Sequence, residues 1–174
     1  MAVMNVITKK MPTGFPGQVA RQSFNIIETH FIDPTDPVTR YGAPVVMTDD
    51  GKVRVIKAAD TANKIYGFTV RPDAVQLGGD NPSFGDSGIP DITQPVDIMI
   101  KGYMNVKTYG DMSTVAVTGQ PVSVTKSDVT VSQEVVPAGT VSDPNIFSDN
   151  AVQVPGASFM GPVDEFGICQ IRIL

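Results

Sequence analysis

Between Pro95 and Thr108 the sequence reads PVDIMIKGYMNVKT and alternates with period two. Val96, Ile98, Ile100, Gly102, Met104 and Val106 fall on one side, and none carries a polar side chain. Asp97, Met99, Lys101, Tyr103, Asn105 and Lys107 fall on the other and hold every charge. A helix would scatter these residues around its axis, whereas a strand sorts them onto two faces. The stretch is therefore expected to form a strand with one buried face. No lone strand offsets the entropy of ordering its own backbone, so a sheet must be built around it. Gly102 leaves a gap in the apolar face, and a bulge or a close backbone approach is expected there.

The rest of the chain supplies strands and turns. Its 174 residues suit one domain with a core large enough to stand without metal or disulfide. Glycine (16) and proline (14) are frequent, and charged residues make up 18% against about 25% in ordinary globular proteins. Asn25–Ile32 reads as a strand closed by Asp33-Pro34-Thr35-Asp36-Pro37, because proline denies the preceding residue the helical region. Asp50-Gly51 between Val45–Met47 and Val53–Ile56 signals a hairpin with a type I′ turn. Ala58–Lys64 fits a single helical turn, and Ile65–Val70 another strand. Gly119-Gln120-Pro121-Val122 followed by Val129-Thr130-Val131 echoes Gly42-Ala43-Pro44-Val45 followed by Val53-Arg54-Val55, which suggests two similar hairpins flanking the central strand. Pro44 and Pro121 lack an amide hydrogen and belong at strand starts or edges. Thr114–Thr118 reads as a short strand, 137–150 as turn, and 151–154, 157–160 and 166–174 as strands. The last has Cys169, Ile171 and Ile173 on one wholly apolar face, so it should insert into the sheet. The class is all-β, a sandwich or barrel-like domain of short antiparallel strands.

Two segments stand outside this scheme. Residues 1–23 carry Pro12, Gly14, Pro16 and Gly17 close together, which break regular structure, and read as an extended arm before a β domain at 24–174. Residues 73–95 are rich in glycine and too long for an idle connection. The first is either a frayed terminus or a segment that orders on a neighbouring subunit, and the second either a mobile flap or a surface that lies against a partner; Val6, Ile7, Phe15 and Phe84 are the candidate apolar contacts with the capsid or another subunit.

Chemistry is scarce. One histidine, His30, and one cysteine, Cys169, cannot build a Cys/His zinc site. A Ser–His–acid triad would have to use His30, which falls in a predicted strand, where a histidine is more often a structural or surface residue. Ser123-Val124-Thr125-Lys126 and Ser148-Asp149-Asn150 mimic two motifs of penicillin-recognising enzymes, but the first lies in a strand pattern that sends Ser123 and Lys126 to opposite faces, and K-T-G is missing. Asp80, Asp86 and Asp91 share a loop without calcium-binding spacing. The net charge is −5, with 13 basic residues spread thinly, which argues against nucleic acid. The first residues lack a continuous apolar core of the signal-peptide kind, and no apolar run approaches the ~20 residues of a membrane span. No catalytic residue, cofactor or metal is expected.

Several short segments occur in an order that carries a resemblance: Pro16-Gly17 with Ala20-Arg21; Tyr41-Gly42-Ala43-Pro44-Val45; Ala59-Asp60-Thr61-Ala62 leading to Ile65-Tyr66-Gly67-Phe68-Thr69-Val70-Arg71; the Asp97–Lys107 strand; and Gly119-Gln120-Pro121-Val122-Ser123-Val124. Over roughly 16–174 the chain resembles the structural cement, or capsid decoration, proteins of tailed bacteriophages. The resemblance implies a β-rich, non-enzymatic subunit made in the host cytoplasm. Such a subunit sits on the outer surface of the virion and binds the major capsid protein as a homotrimer near three-fold positions. The alternative is a carbohydrate-binding β-sandwich of a phage fibre or secreted enzyme. It would need an aromatic platform, and the chain has no tryptophan and four scattered tyrosines.

Overall fold

The computed structural model describes residues 13–72, 88–110, 112–147 and 149–174. Among these residues eleven strands run in chain order: β1 (Val19–Phe31), β2 (Pro44–Met47), β3 (Val53–Val55), β4 (Ile65–Thr69), β5 (Pro95–Tyr109), β6 (Pro121–Thr125), β7 (Val129–Val131), β8 (Glu134–Val136), β9 (Val141–Ser142), β10 (Ala151–Phe159) and β11 (Ile168–Ile173). The only helical element among the described residues is a 3-10 turn at Ala62–Lys64, inside the segment expected to coil. The protein is all-β, as expected.

Strand β5 is the hub, and the pairings around it choose between sandwich and barrel. It pairs with β1, β4, β9 and β11. Because β11 pairs with both β10 and β5, the path β5–β11–β10–β6–β9 returns to β5 and closes a ring. Ring closure is the defining property of a barrel, and it removes the open edges of these strands. The β2–β3 hairpin extends from β4 as a flap. Pairing is antiparallel except where β9 runs parallel to β5, and at an isolated parallel bridge from Ile32 to Val53.

The period-two reading of β5 holds in halves. Val96 and Ile98 enter a small cluster with Ile32, Val38, Tyr41, Val45 and Val53 under the flap. Met104 and Val106 enter the main core with Phe68, Phe159, Cys169, Ile171 and Ile173. Met99, expected to point outward, is fully buried in that main core, and Ile100 is only half-buried. Two physical causes account for the difference. The sheet is covered on both faces near Ile98 and Met99, and the backbone slips at Gly102, whose φ is +139°. A Cβ on Gly102 would stand 2.2 Å from Asn25 Oδ1, so the close approach expected there is present.

Other expectations divide in the same way. Pro44 and Pro121 each begin a strand. The Asp50-Gly51 hairpin exists, but it turns through three residues, closed by Thr48 N–H donating to the Lys52 carbonyl (2.8 Å), and Gly51 alone has positive φ (+76°). It is the glycine-terminated three-residue loop, not type I′. The second hairpin is not an echo of the first: β6 pairs with β10 and β9, and β7 pairs with β8 through Ser132 and Gln133, both at positive φ. That short turn holds β7 and β8 together and leaves β6 free to join the ring. Residues 114–118 form no strand, with turns at 113–115 and 118–119; β9 lies within 137–150, and 151–159 form one strand bulged at Gly156 (φ +72°).

Candidate functional site

Strand β1 is where the sequence departs from the logic of the core. Val19–Phe31 pairs with β5 along one edge, and no strand among the described residues pairs along the other. Its register against β5 shifts three times. Between the pairs Arg21–Tyr103 and Ile26–Lys101, β1 advances five positions while β5 advances two. The surplus residues bulge opposite Gly102, and Asn25 anchors the bulge by donating Nδ2–H to the Arg21 carbonyl (2.7 Å).

At the crest sits Phe24, with φ +58° and 89% of its surface exposed. A bulky residue in the left-handed region costs about 1–2 kcal/mol relative to the right-handed one. Full exposure of its ring offsets none of that cost in the free protein. Ile26, Ile27 and Phe31 on the same strand are also exposed. Large apolar side chains left exposed on a strand with an unpartnered edge are the usual mark of an interaction surface. Beside the bulge lies a groove of about 710 Å³ lined by Phe24, Ile26, Lys101, Tyr103, Arg172 and Leu174, among others. Arg21 stacks its guanidinium 4.7 Å from the Tyr103 ring centre and donates to Gln170 Oε1 (3.0 Å).

The remaining candidates are structural. His30 Nδ1 lies 3.1 Å from the Gly51 carbonyl oxygen and its Nε2 3.4 Å from Glu28 Oε2, both of them acceptors, and its ring meets the Tyr66 ring edge-on. The Tyr66 hydroxyl donates to the same Glu28 carboxylate, which pushes the phenol up to about 12 and holds Glu28 below the usual carboxylate range. This cluster ties β1 to β4. Cys169 is fully buried, and burial pushes its thiol up to about 12, so it is a core residue. Ser123 is buried within β6, a strand as expected. Asp91 accepts from the Thr93 N–H (2.8 Å) and hydroxyl (2.7 Å), and the backbone bond lowers its pKa. Asp80 and Asp86 lie outside the described residues, among which no group of three potential metal ligands converges.

Of the expected contact residues, Val6, Ile7 and Phe84 lie outside the described residues. Phe15 is half-buried, with the Arg71 guanidinium 4.7 Å from its ring centre. Around it, residues 13–18 of the expected arm are knitted to the domain. Thr13 N–H donates to Asp164 Oδ2 (2.9 Å), Asn105 Nδ2–H to the Thr13 carbonyl (2.9 Å), and Gly17 N–H to the Asn105 carbonyl (2.7 Å). Residues 19–23 already belong to β1. The β1 surface was missed in the sequence because only residues from Asn25 onward were read as strand, and Phe24 had no role. The available signal was the adjacent pair Ile26-Ile27, which no one-faced strand can bury together.

Comparison with known proteins bears on this surface. No curated protein sequence matches the chain. A chain from a structure described as the capsid of Myoviridae phage XM1 superposes with a TM-score of 0.62 at 18% identity, covering 99% of this chain and 97% of its own. That likeness is one of fold. The sequence profile of a family described as structural cement protein (E217 gp24/Pam3 gp6) matches residues 4–174. With nearly the whole length matched, the chain belongs to the phage structural cement protein family, whose role is structural.

Proposed function

We propose that this protein binds the outer surface of a phage head, contacts the major capsid protein, and stabilises the shell as a homotrimer near three-fold positions. The observation that carries this reading is strand β1: four large apolar side chains, Phe24, Ile26, Ile27 and Phe31, are exposed on a strand whose outer edge no described strand pairs. Covering them releases the water they order, at about 25 cal/mol per Å² of apolar area. Val6, Ile7, Phe15 and Phe84 are assigned to the same assembly, on the arm and the 73–95 loop. Three copies acting together gain by multivalency, and binding only to the assembled shell stabilises it by mass action. The test has two parts: the mass of the protein in solution, and the melting temperature of cement-free heads with and without it. A protein that neither binds heads nor raises their melting temperature sinks the proposal and favours the sugar-binding reading.

A further inference from the structure

We infer that the groove beside the β1 bulge receives an extended segment of the shell protein in which an apolar side chain stands next to a carboxylate. This rests on the capsid-binding reading and assigns the chemistry of its contact.

The groove joins two properties that call for such an occupant. Its walls are apolar at Phe24, Ile26 and Leu174, of which Phe24 is the most exposed. Its charged lining residues are Lys101 and Arg172, and no acidic residue lines it. Among the described residues neither cation forms an ion pair, and Arg172 Nε has no hydrogen-bond acceptor. Arg21 adds a third cation through its stack on Tyr103, a lining residue. On a chain of net charge −5, a groove of this sign is a local reversal. Close to the groove, no strand among the described residues pairs with the outer edge of β1, so an extended chain can add there as a further strand.

Charge decides among the occupants. The chain's own first twelve residues, MAVMNVITKKMP, hold two lysines and no acid, so they carry the wrong sign. A second copy docked face to face about a two-fold axis would set Lys101 and Arg172 against the same cations of its partner, and a heterologous contact with a neighbour in the homotrimer is the outcome that a crosslink from position 24 separates from the shell protein. An acidic and apolar strand meets both the cations and the walls, with Phe24 as the side chain to be enclosed.

The experiment uses the full-length chain and empty shells assembled from the major capsid protein of the same phage. Binding is measured by co-sedimentation over a range of salt for the wild type, Phe24→Asn, the double variant K101E/R172E, and Val135→Asn as an exposed control outside the groove. Phe24→Asn should weaken binding by about tenfold or more, as for a hot-spot residue. K101E/R172E should weaken it most at low salt, the difference shrinking as screening rises, and Val135→Asn should bind like the wild type. A photo-crosslinker at position 24 should capture a shell-protein peptide containing Asp or Glu. Wild-type binding with unchanged affinity in both groove variants overturns the inference and leaves the capsid reading intact. So does a crosslink to a second copy of this chain or to a peptide without an acid. Failure of the wild type to bind shells overturns the capsid reading itself.

Discussion

Strands β11 and β1 both run antiparallel to β5, yet they use their apolar residues in opposite ways. β11 pairs with β5 over six consecutive positions without a shift, from Ile168–Lys107 to Ile173–Gly102. Ile168, Cys169, Ile171 and Ile173 are all buried. β1 is longer, its register breaks three times, and Phe24, Ile26, Ile27 and Phe31 are exposed. The difference lies in the neighbours. β11 sits between β5 and β10 inside a closed ring, so both its edges are paired and Cys169, Ile171 and Ile173 face the main core. Among the described residues β1 has a strand on one edge only, and the bulge opposite Gly102 leaves Phe24 at its crest exposed. Equal hydrophobicity thus contributes stability in one strand and an adhesive surface in the other.

The contrast is broken most sharply in the core. Ile171→Ala removes a fully buried side chain from the ring and should cost ~2–5 kcal/mol, the range for large-to-small core changes. Denaturant unfolding measures it. A cost under ~1 kcal/mol would mean that the ring is not the stabilising unit. Next in size is Gly102→Ala, which forces a side chain onto φ +139° and against Asn25. A loss of roughly 1–3 kcal/mol is expected, together with altered backbone signals in the β1 bulge by NMR. An unperturbed bulge would show that Gly102 does not shape it.

How far these roles were readable depended on whether the determinants were local. The alternation in 95–108 and the apolar face of 168–173 marked β5 and β11, because burial on one face writes itself into nearest-neighbour spacing. Gly102 announced its bulge for the same reason. Met99 was misread because two cores meet at β5, and the second face is covered by residues distant in sequence such as Phe68. The partner of β6 was misread because a ring closes through long-range pairing that two valine-rich hairpins cannot reveal. The β1 groove was hidden for a further reason: it is assembled from residues 24–26, 101–103 and 172–174, brought together only by the fold.

Acid stability separates the flap from β1. Arg54 grips Asp60 with two bonds of 2.7 and 2.8 Å, while the Lys57 N–H donates to the same carboxylate (2.8 Å). Asp60 is buried, and the Arg54 bond holds its pKa below the ordinary 3.8. A depressed carboxylate adds stability above its unfolded pKa and loses it as pH falls through the folded value. Asp60→Asn should therefore cost roughly 1 kcal/mol at neutral pH, and the two proteins should converge in stability below pH 3.8. Glu28 on β1 is also held low, by the Tyr66 hydroxyl, but it faces solvent. Glu28→Gln should leave the acid limb where it is. If the Glu28 variant moves that limb and the Asp60 variant does not, the assignment of stability to the flap pair is wrong.

The smallest change in stability is expected from the residue with the largest proposed role in binding. Phe24 packs against little in the free protein and holds a left-handed backbone that aromatic residues avoid. Asparagine enters that region readily, because its short polar side chain bonds locally. Phe24→Asn should therefore leave unfolding stability within ~0.5 kcal/mol of wild type, or raise it slightly. The same substitution should abolish most of the protein's effect on the melting of phage heads. Ile171→Ala makes the complementary case, since any folded fraction of that variant should still bind. Opposite rankings of the two variants in the two assays would establish the division of labour between β11 and β1. A loss of more than ~1 kcal/mol in Phe24→Asn would instead place Phe24 among the residues that hold the fold, and β1 would cease to be a surface kept for a partner.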